Sequence, residues 1–130
     1  MTLPSRLRTY FDGGIVVTKG VDRCLFAFPP EEWAVFKANI KANADLSAKG
    51  RQLSRMFFSM AFEASLDRQG RVLIPPKLAE YAGLQRDVTL AGVDDRLEIW
   101  DTQEWERYLT GADDSFAEIV EEFAGRESGV

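Results

Sequence analysis

The sequence predicts an α+β fold built as a tandem internal duplication, with two β-hairpin units joined by short helices and related by a pseudo-twofold. Three observations predict it. The chain aligns with itself: at an offset of 71, Pro4, Leu7 and Tyr10 fall on Pro75, Leu78 and Tyr81. At an offset of 72, Val16, Gly20, Val21, Asp22, Leu25, Glu32 and Trp33 fall on Val88, Gly92, Val93, Asp94, Leu97, Glu104 and Trp105. Matches that keep one order through a single one-residue shift mark a repeat of about 70 residues. Each copy also carries two short apolar runs separated by small turn residues, the pattern of a hairpin. Around those runs, apolar residues step by three and four, the spacing of one helix face.

Taken in order, Pro4 opens the short helical stretch "PSRLRTYF"; proline suits a first turn because its missing N–H would be unpaired there. The runs "IVVTKG" and "CLFAF", separated by "VDR", predict the first hairpin. In "PPEEWAVFKANIKANA" Trp33, Phe36 and Ile40 share one helix face. Leu53, Met56, Phe57 and Met60 form a second stripe, with Arg51 and Arg55 on a different side, and read as a packing face. In the second copy "PPKLAEYAGL" is a helix stopped at Gly83. "VTLAG" and "LEIW", separated by "VDDR", then form a hairpin, and "TQEWERYL" places Trp105, Tyr108 and Leu109 on a helix. Phe116, Ile119, Val120 and Phe123 predict a short amphipathic helix that docks on a neighbour before a frayed end. The chain therefore divides into a first half (1–45), a connecting helix (46–61), a second half (62–110) and an acidic C-terminal helix or tail (111–130).

Composition limits the chemistry. With 130 residues, 45% hydrophobic and 12% aromatic, the chain has enough apolar side chains for a real core. It shows no membrane-length apolar run and no secretory h-region at "MTLPSRLR". One cysteine, Cys24, rules out an internal disulfide framework, fits a reducing cytosol, and reads as a small buried hydrophobe. There is no histidine, which excludes Ser/His/Asp and Cys/His nucleophile systems and removes the commonest nitrogen ligand for metals. Carboxylate chemistry stays open in principle, but the 21 acids single out no pair and read as solvated surface. With no Walker loop, zinc cluster or dinucleotide fingerprint, the reading assigns no catalytic residue, metal or cofactor.

Net charge is −5, unfavourable at first sight for a polyanionic partner. The balance is uneven, however: residues 1–66 carry +3 and residues 67–130 carry −8, with 9 acids against 2 arginines in 101–130. A local basic cluster therefore coexists with an acidic end, and phosphate binding depends on the local cluster.

That cluster centres on "ASLDRQGRVLIP". Asp67 is placed to cap a turn through its side chain, and Gly70 to take a positive φ. Arg71 would then project from the start of a strand beside Arg68, offering planar guanidinium donors to phosphate or a guanine edge. The competing reading is that Asp67 and Arg71 simply pair across the turn.

The string "DRQGRVLIP", its partial copy "TLPSRLR" and the paired "GVD" and "EW" echoes resemble the MraZ family of bacterial transcriptional regulators, over essentially the whole chain to about residue 109. The resemblance implies a tandem pair of AbrB-like swapped-hairpin units and a ring-shaped homo-oligomer in the cytoplasm, associated with the nucleoid. It implies binding to promoter direct repeats of the division and cell-wall gene cluster, usually as a repressor. It also implies that Arg71 contacts DNA, with Asp67 and Gly70 shaping its loop and Arg68, Lys77 and Arg6 assisting; Lys77 aligns with Arg6. The family has two charged turns, whereas counterparts of Asp67, Gly70 and Arg71 would fall before Met1. Either the start is placed too late, which is the preferred reading, or the chain is truncated, or the protein dispenses with the first strand; a missing strand is expected to leave an unpaired sheet edge in the first half. The alternative class is a non-enzymatic AbrB-like interaction module or antitoxin whose acidic tail engages a basic partner.

Overall fold

Helix, strand, strand, helix is an order the chain runs through twice. The computed structural model describes residues 1–128, so the last two residues of the 111–130 segment lie outside the described residues. The first passage is α1 (Ser5–Arg8), β1 (Ile15–Lys19), β2 (Leu25–Phe28) and α2 (Pro30–Asn43). After α3 (Ala48–Phe58) and β3 (Phe62–Ala64) comes the second: α4 (Pro76–Tyr81), β4 (Val88–Val93), β5 (Arg96–Asp101) and α5 (Thr102–Ser128). The strands form one antiparallel sheet in the order β3-β1-β2-β5-β4. Its centre is the pairing of β2 with β5, in the register Leu25↔Ile99 and Ala27↔Leu97, which joins the two hairpins.

The middle of this sheet is covered on both faces, which explains why β1 and β2 read as unbroken apolar runs rather than as alternating ones. One face sets Ile15, Val17, Leu25, Ala27, Leu97 and Ile99 against Leu3, Phe11, Val72 and Leu78. The other sets Val16, Cys24, Phe26, Phe28 and Trp100 against Trp33, Phe36, Phe57, Phe58 and Trp105. Both hairpin turns place an aspartate in the left-handed region, Asp22 at φ 64° and Asp94 at φ 59°, where a short polar side chain is tolerated. Cys24 is fully buried and its thiol donates to the Val21 carbonyl (3.0 Å). Burial, with Glu98 and Asp22 nearby, pushes the thiol up to about 12.

The aromatic residues repeat in space as they do in sequence. Phe28, Trp33 and Phe36 form one triad, with ring centroids 5.6 Å (28 to 33), 4.8 Å (28 to 36) and 5.8 Å (33 to 36) apart. Trp100, Trp105 and Tyr108 form the other at 5.3, 5.1 and 6.1 Å in the same order. The first is roofed by Phe57 and Phe58 of α3. Tyr108 of the second stays exposed.

Helix α3 is fixed at both ends. The Ser47 side chain caps it by accepting from the Gly50 amide (3.1 Å), and the Asp45 carboxylate accepts from the Ser47 amide (3.0 Å) and from the Ser47 hydroxyl. The hydroxyl bond, then the amide bond, hold the Asp45 carboxyl below its usual range. Gly50 is buried here because a Cβ would stand 2.1 Å from the Asp45 carbonyl oxygen. At the other end the buried Thr18 hydroxyl donates to the Phe57 carbonyl (2.6 Å), satisfying a last-turn acceptor that the helix cannot.

Two features differ from the sequence reading. The unpaired edge expected in the first half is absent there: β1 has β2 on one side and β3 on the other, in the register Ile15↔Ala64 and Val17↔Phe62. The terminal strand on the far side is β4, in the second half. The reason is that β3, although more than 40 residues further along the chain, hydrogen-bonds to β1. Nor does a helix break fall at residue 111. Gly111 sits inside α5, although glycine costs a helix about 1 kcal/mol relative to alanine. The Asp101 carboxylate serves the start of α5, accepting from the Gln85 amide (3.1 Å) and, more weakly, the Glu104 amide (3.4 Å). Along the rest of α5, Phe116, Ile119 and Val120 are exposed.

Thr18→Val keeps the shape but orphans the Phe57 carbonyl, so it is expected to lower stability by about 1–3 kcal/mol. Urea denaturation measures this, and an unchanged midpoint would remove the bond from any role in seating α3.

Candidate nucleic-acid interface

The charged turn is built by two segments far apart in sequence. Met1–Leu3 runs antiparallel to Gly70–Val72: Leu3 N–H donates to the Gly70 carbonyl (2.8 Å), Val72 N–H to the Met1 carbonyl (2.7 Å), and the Met1 amino group to the Val72 carbonyl (2.9 Å). Arg71 lies at the isolated bridge with Thr2 and not, as its sequence suggests, at the start of a strand. Beyond it, Pro75 and Pro76 lack the N–H groups that would extend a ladder.

Within the turn, Asp67 acts as an organiser. Its Oδ1 accepts from the Gln69 and Arg71 amides (both 2.9 Å), and its Oδ2 accepts from Arg71 Nε (2.8 Å). The main chain closes behind it, with Gly70 N–H donating to the Asp67 carbonyl and Asp67 N–H to the Arg71 carbonyl (both 3.0 Å). These bonds hold the Asp67 carboxyl below its usual range, the Arg71 amide contributing most and its side chain next. The competing sequence reading, a pair between Asp67 and Arg71 across the turn, is what the structure shows. Arg71 Nη2 also donates to Gln69 Oε1 (3.2 Å), yet the Arg71 side chain remains 61% exposed. An ion pair this open is screened by solvent and contributes little to folding; what it does is orient the guanidinium.

Gly70 is required twice over. Its φ is +74°, and a Cβ there would stand 2.1 Å from Arg8 Nε. Arg8, from the end of α1, donates to the Leu3 carbonyl (3.0 Å). It therefore sits behind the turn, lining with Asp12, Asp67 and Arg68 a small cleft of about 260 Å³. Sequence reasoning missed Arg8 because its counterpart at offset 71 is Ala79, so the repeat gave no signal. The strict need for glycine at position 70 was the available clue.

Of the other predicted residues, Arg68 is exposed on the turn itself. Arg6 and Lys77 are exposed at the second positions of α1 and α4. Lys77 lines a different cleft, with Ser59–Phe62 and Pro75–Leu78. The turn therefore unites Arg68 and Arg71, supported by Arg8, while Arg6 and Lys77 lie on separate helices and are not brought into its cleft. Among the described residues no group of three or more Cys, Asp or Glu is placed to hold a metal, and no helix is long and apolar enough to cross a membrane.

The family described as "MraZ protein, putative antitoxin-like" matches residues 1–55 and 57–127. A protein named Transcriptional regulator MraZ from Frankia alni is 46% identical over 123 residues, covering 94% of this chain and 85% of the relative. Proteins of the same name from Parafrankia sp. and Desulforamulus reducens are 45% and 40% identical, over 94% and 93% of this chain and 85% of each relative.

Asp67 is depressed in the folded protein, so its contribution to the turn is complete above its ordinary value of 3.8 and is lost as pH falls through the lower native value. Asp67→Asn is expected to keep the backbone turn but free the guanidinium, and Asp67→Ala to open both. Amide hydrogen exchange at Gln69 and Arg71 should speed up in the order native, Asn, Ala; equal rates in all three would show that Asp67 does not hold the turn.

Proposed function

The chain belongs to the MraZ family, and we propose that it is a sequence-specific DNA-binding transcriptional regulator. The observation that carries this reading is Arg71, an exposed guanidinium fixed in direction by Asp67 on a turn whose backbone Gly70 permits. Fixing a planar donor in advance reduces the entropy lost when it meets the paired acceptors of a guanine edge or a phosphate. The names of the relatives, each a transcriptional regulator, point the same way.

In this reading phosphate contacts from Arg68, Arg6 and Lys77 set the register, and base contacts from Arg71 set the sequence preference. The negative total charge is no obstacle, because the acids concentrate in α5 and the turn carries its own arginines. We assign the two halves to AbrB-like swapped hairpins; the passage of β3 onto β1 and the matching aromatic triads support that assignment. One Arg71 turn per chain binds weakly. A ring of chains presents several at once, and avidity on spaced direct repeats gives tight occupancy. Occupancy of the promoter of the division and cell-wall cluster would repress it in the nucleoid of the cytoplasm.

Arg71→Ala is expected to lose about 1–3 kcal/mol of discrimination per turn, and through avidity nearly all specific binding, while the oligomer persists. Arg68→Ala should weaken binding to all sequences alike and flatten the salt dependence by about one unit of slope. Gel-shift titration against duplexes selected from a randomised pool, at several salt concentrations, measures both. Unchanged affinity for Arg71→Ala removes it from the base-reading role.

A further inference from the structure

A cleft of about 320 Å³ opens between the end of β1, α3 and α4, and it shares no residue with the cleft behind the Arg71 turn. Leu53, Met56, Phe57 and Tyr81 line it with Lys19 and Lys49, and no carboxylate does. Leu53 and Met56 are open to solvent, exposed by 40% and 42%. Lys19 Nζ lies 4.8 Å from the centroid of the Tyr81 ring, and the Arg23 guanidinium stands 5.8 Å from the same centroid. Among the described residues, Lys19, Arg23 and Lys49 enter no ion pair. An apolar floor is thus set beside cations whose charge no carboxylate answers.

The walls of the cleft are fixed before anything enters it. The Tyr81 hydroxyl donates to the Gly20 carbonyl (2.7 Å), tying α4 to the end of β1. Thr18 seats α3 through the Phe57 carbonyl (2.6 Å). Between them Met56, its Sδ 3.8 Å from Lys19 Nζ, is the soft element, since an unbranched thioether adapts its shape to what it meets. A site built in advance loses little affinity to reorganisation when a ligand binds.

We propose that this cleft binds a small single-chain amphiphile with an anionic head. The head lies by Lys19 and Lys49, and the aliphatic chain covers Leu53, Met56 and Phe57. Charge selects the head, because a cationic amphiphile meets like charge from Lys19, Lys49 and Arg23. Volume selects the body: about 320 Å³ stands at the lower end of small-molecule sites, and suits one short chain rather than a two-chain lipid. The Tyr81 face is already taken by the two cations over it, which leaves the aliphatic floor for the chain. A nucleic-acid backbone offers charge but no apolar body, so it would leave that floor bare.

Calorimetric titration of the full chain with decanoate tests this. Decyltrimethylammonium keeps the chain and reverses the head; butyrate keeps the head and shortens the chain. Decanoate should bind once per chain and the other two should not bind measurably. Lys19→Gln with Lys49→Gln should weaken decanoate by about tenfold, and Leu53→Ser with Met56→Ser by about as much. These side chains are exposed or half-buried, and circular dichroism checks that each variant stays folded. Absence of decanoate binding overturns the proposal, as does equal binding of decyltrimethylammonium or binding that either pair of substitutions leaves unchanged. If decanoate fails and both variants sediment more slowly than the native chain, the cleft belongs to a second copy and the proposal falls. None of these outcomes depends on DNA, so this inference and the reading of the Arg71 turn fail separately.

Discussion

The antiparallel crossing of Met1–Leu3 with Gly70–Val72 is the contact on which the other features hang. It joins residues about 70 positions apart, so it costs loop-closure entropy, but that cost grows only logarithmically with length. The burial of Leu3 and Val72 in the same core offsets it. Once the crossing is made, Gly70 lies against Arg8, the Asp67 turn is held at its base, and the chain leading into it carries β3 onto the edge of β1. The first half is thus completed by residues of the second. Neither half owns all its own hydrogen bonds, and the sheet is one cooperative unit rather than two lobes in contact.

How much of this was legible in the sequence depends on whether a residue had a partner in the repeat. Val16 and Val88, Leu25 and Leu97, Trp33 and Trp105 recur in matching places, and the hairpins and aromatic triads followed from them. Asp67, Gly70 and Arg71 were legible because each has a narrow set of physical roles in a turn. Arg8 and Thr18 were not, since Ala79 and Leu90 stand opposite them in the repeat and their partners, the carbonyls of Leu3 and Phe57, are backbone groups that leave no trace in side-chain patterns. Residues 62–64 are too few to declare a partner strand, so the pairing of β3 with β1 was invisible, and the open edge was expected in the wrong half. Gly111 looked like a helix boundary and is none, because a single glycine weakens a helix without ending it.

Charge is partitioned along the molecule as well as along the chain. The turn gathers Arg8, Arg68 and Arg71 around a single organising carboxylate with Asp12 nearby, whereas α5 extends a strongly acidic surface from the far end of β5. A polyanion approaching the turn is attracted locally and repelled by α5, which favours approach from one side. Global charge and local binding chemistry are therefore separate properties in this fold, and the first does not predict the second.

The two aromatic triads have nearly the same geometry but different chemistry, and this gives each half its own optical signature. The first holds one tryptophan, Trp33, among phenylalanines under the roof of α3; the second holds two, Trp100 and Trp105, with ring centroids 5.3 Å apart. Indoles that close couple their strong far-ultraviolet transitions, a source of paired circular-dichroism bands to which Trp33, with no indole in its own triad, adds nothing of that kind. The presence of phenylalanine in one triad and tryptophan at the matching place in the other leaves an intrinsic reporter in each, and loosening of one end of the sheet is spectroscopically separable from loosening of the other.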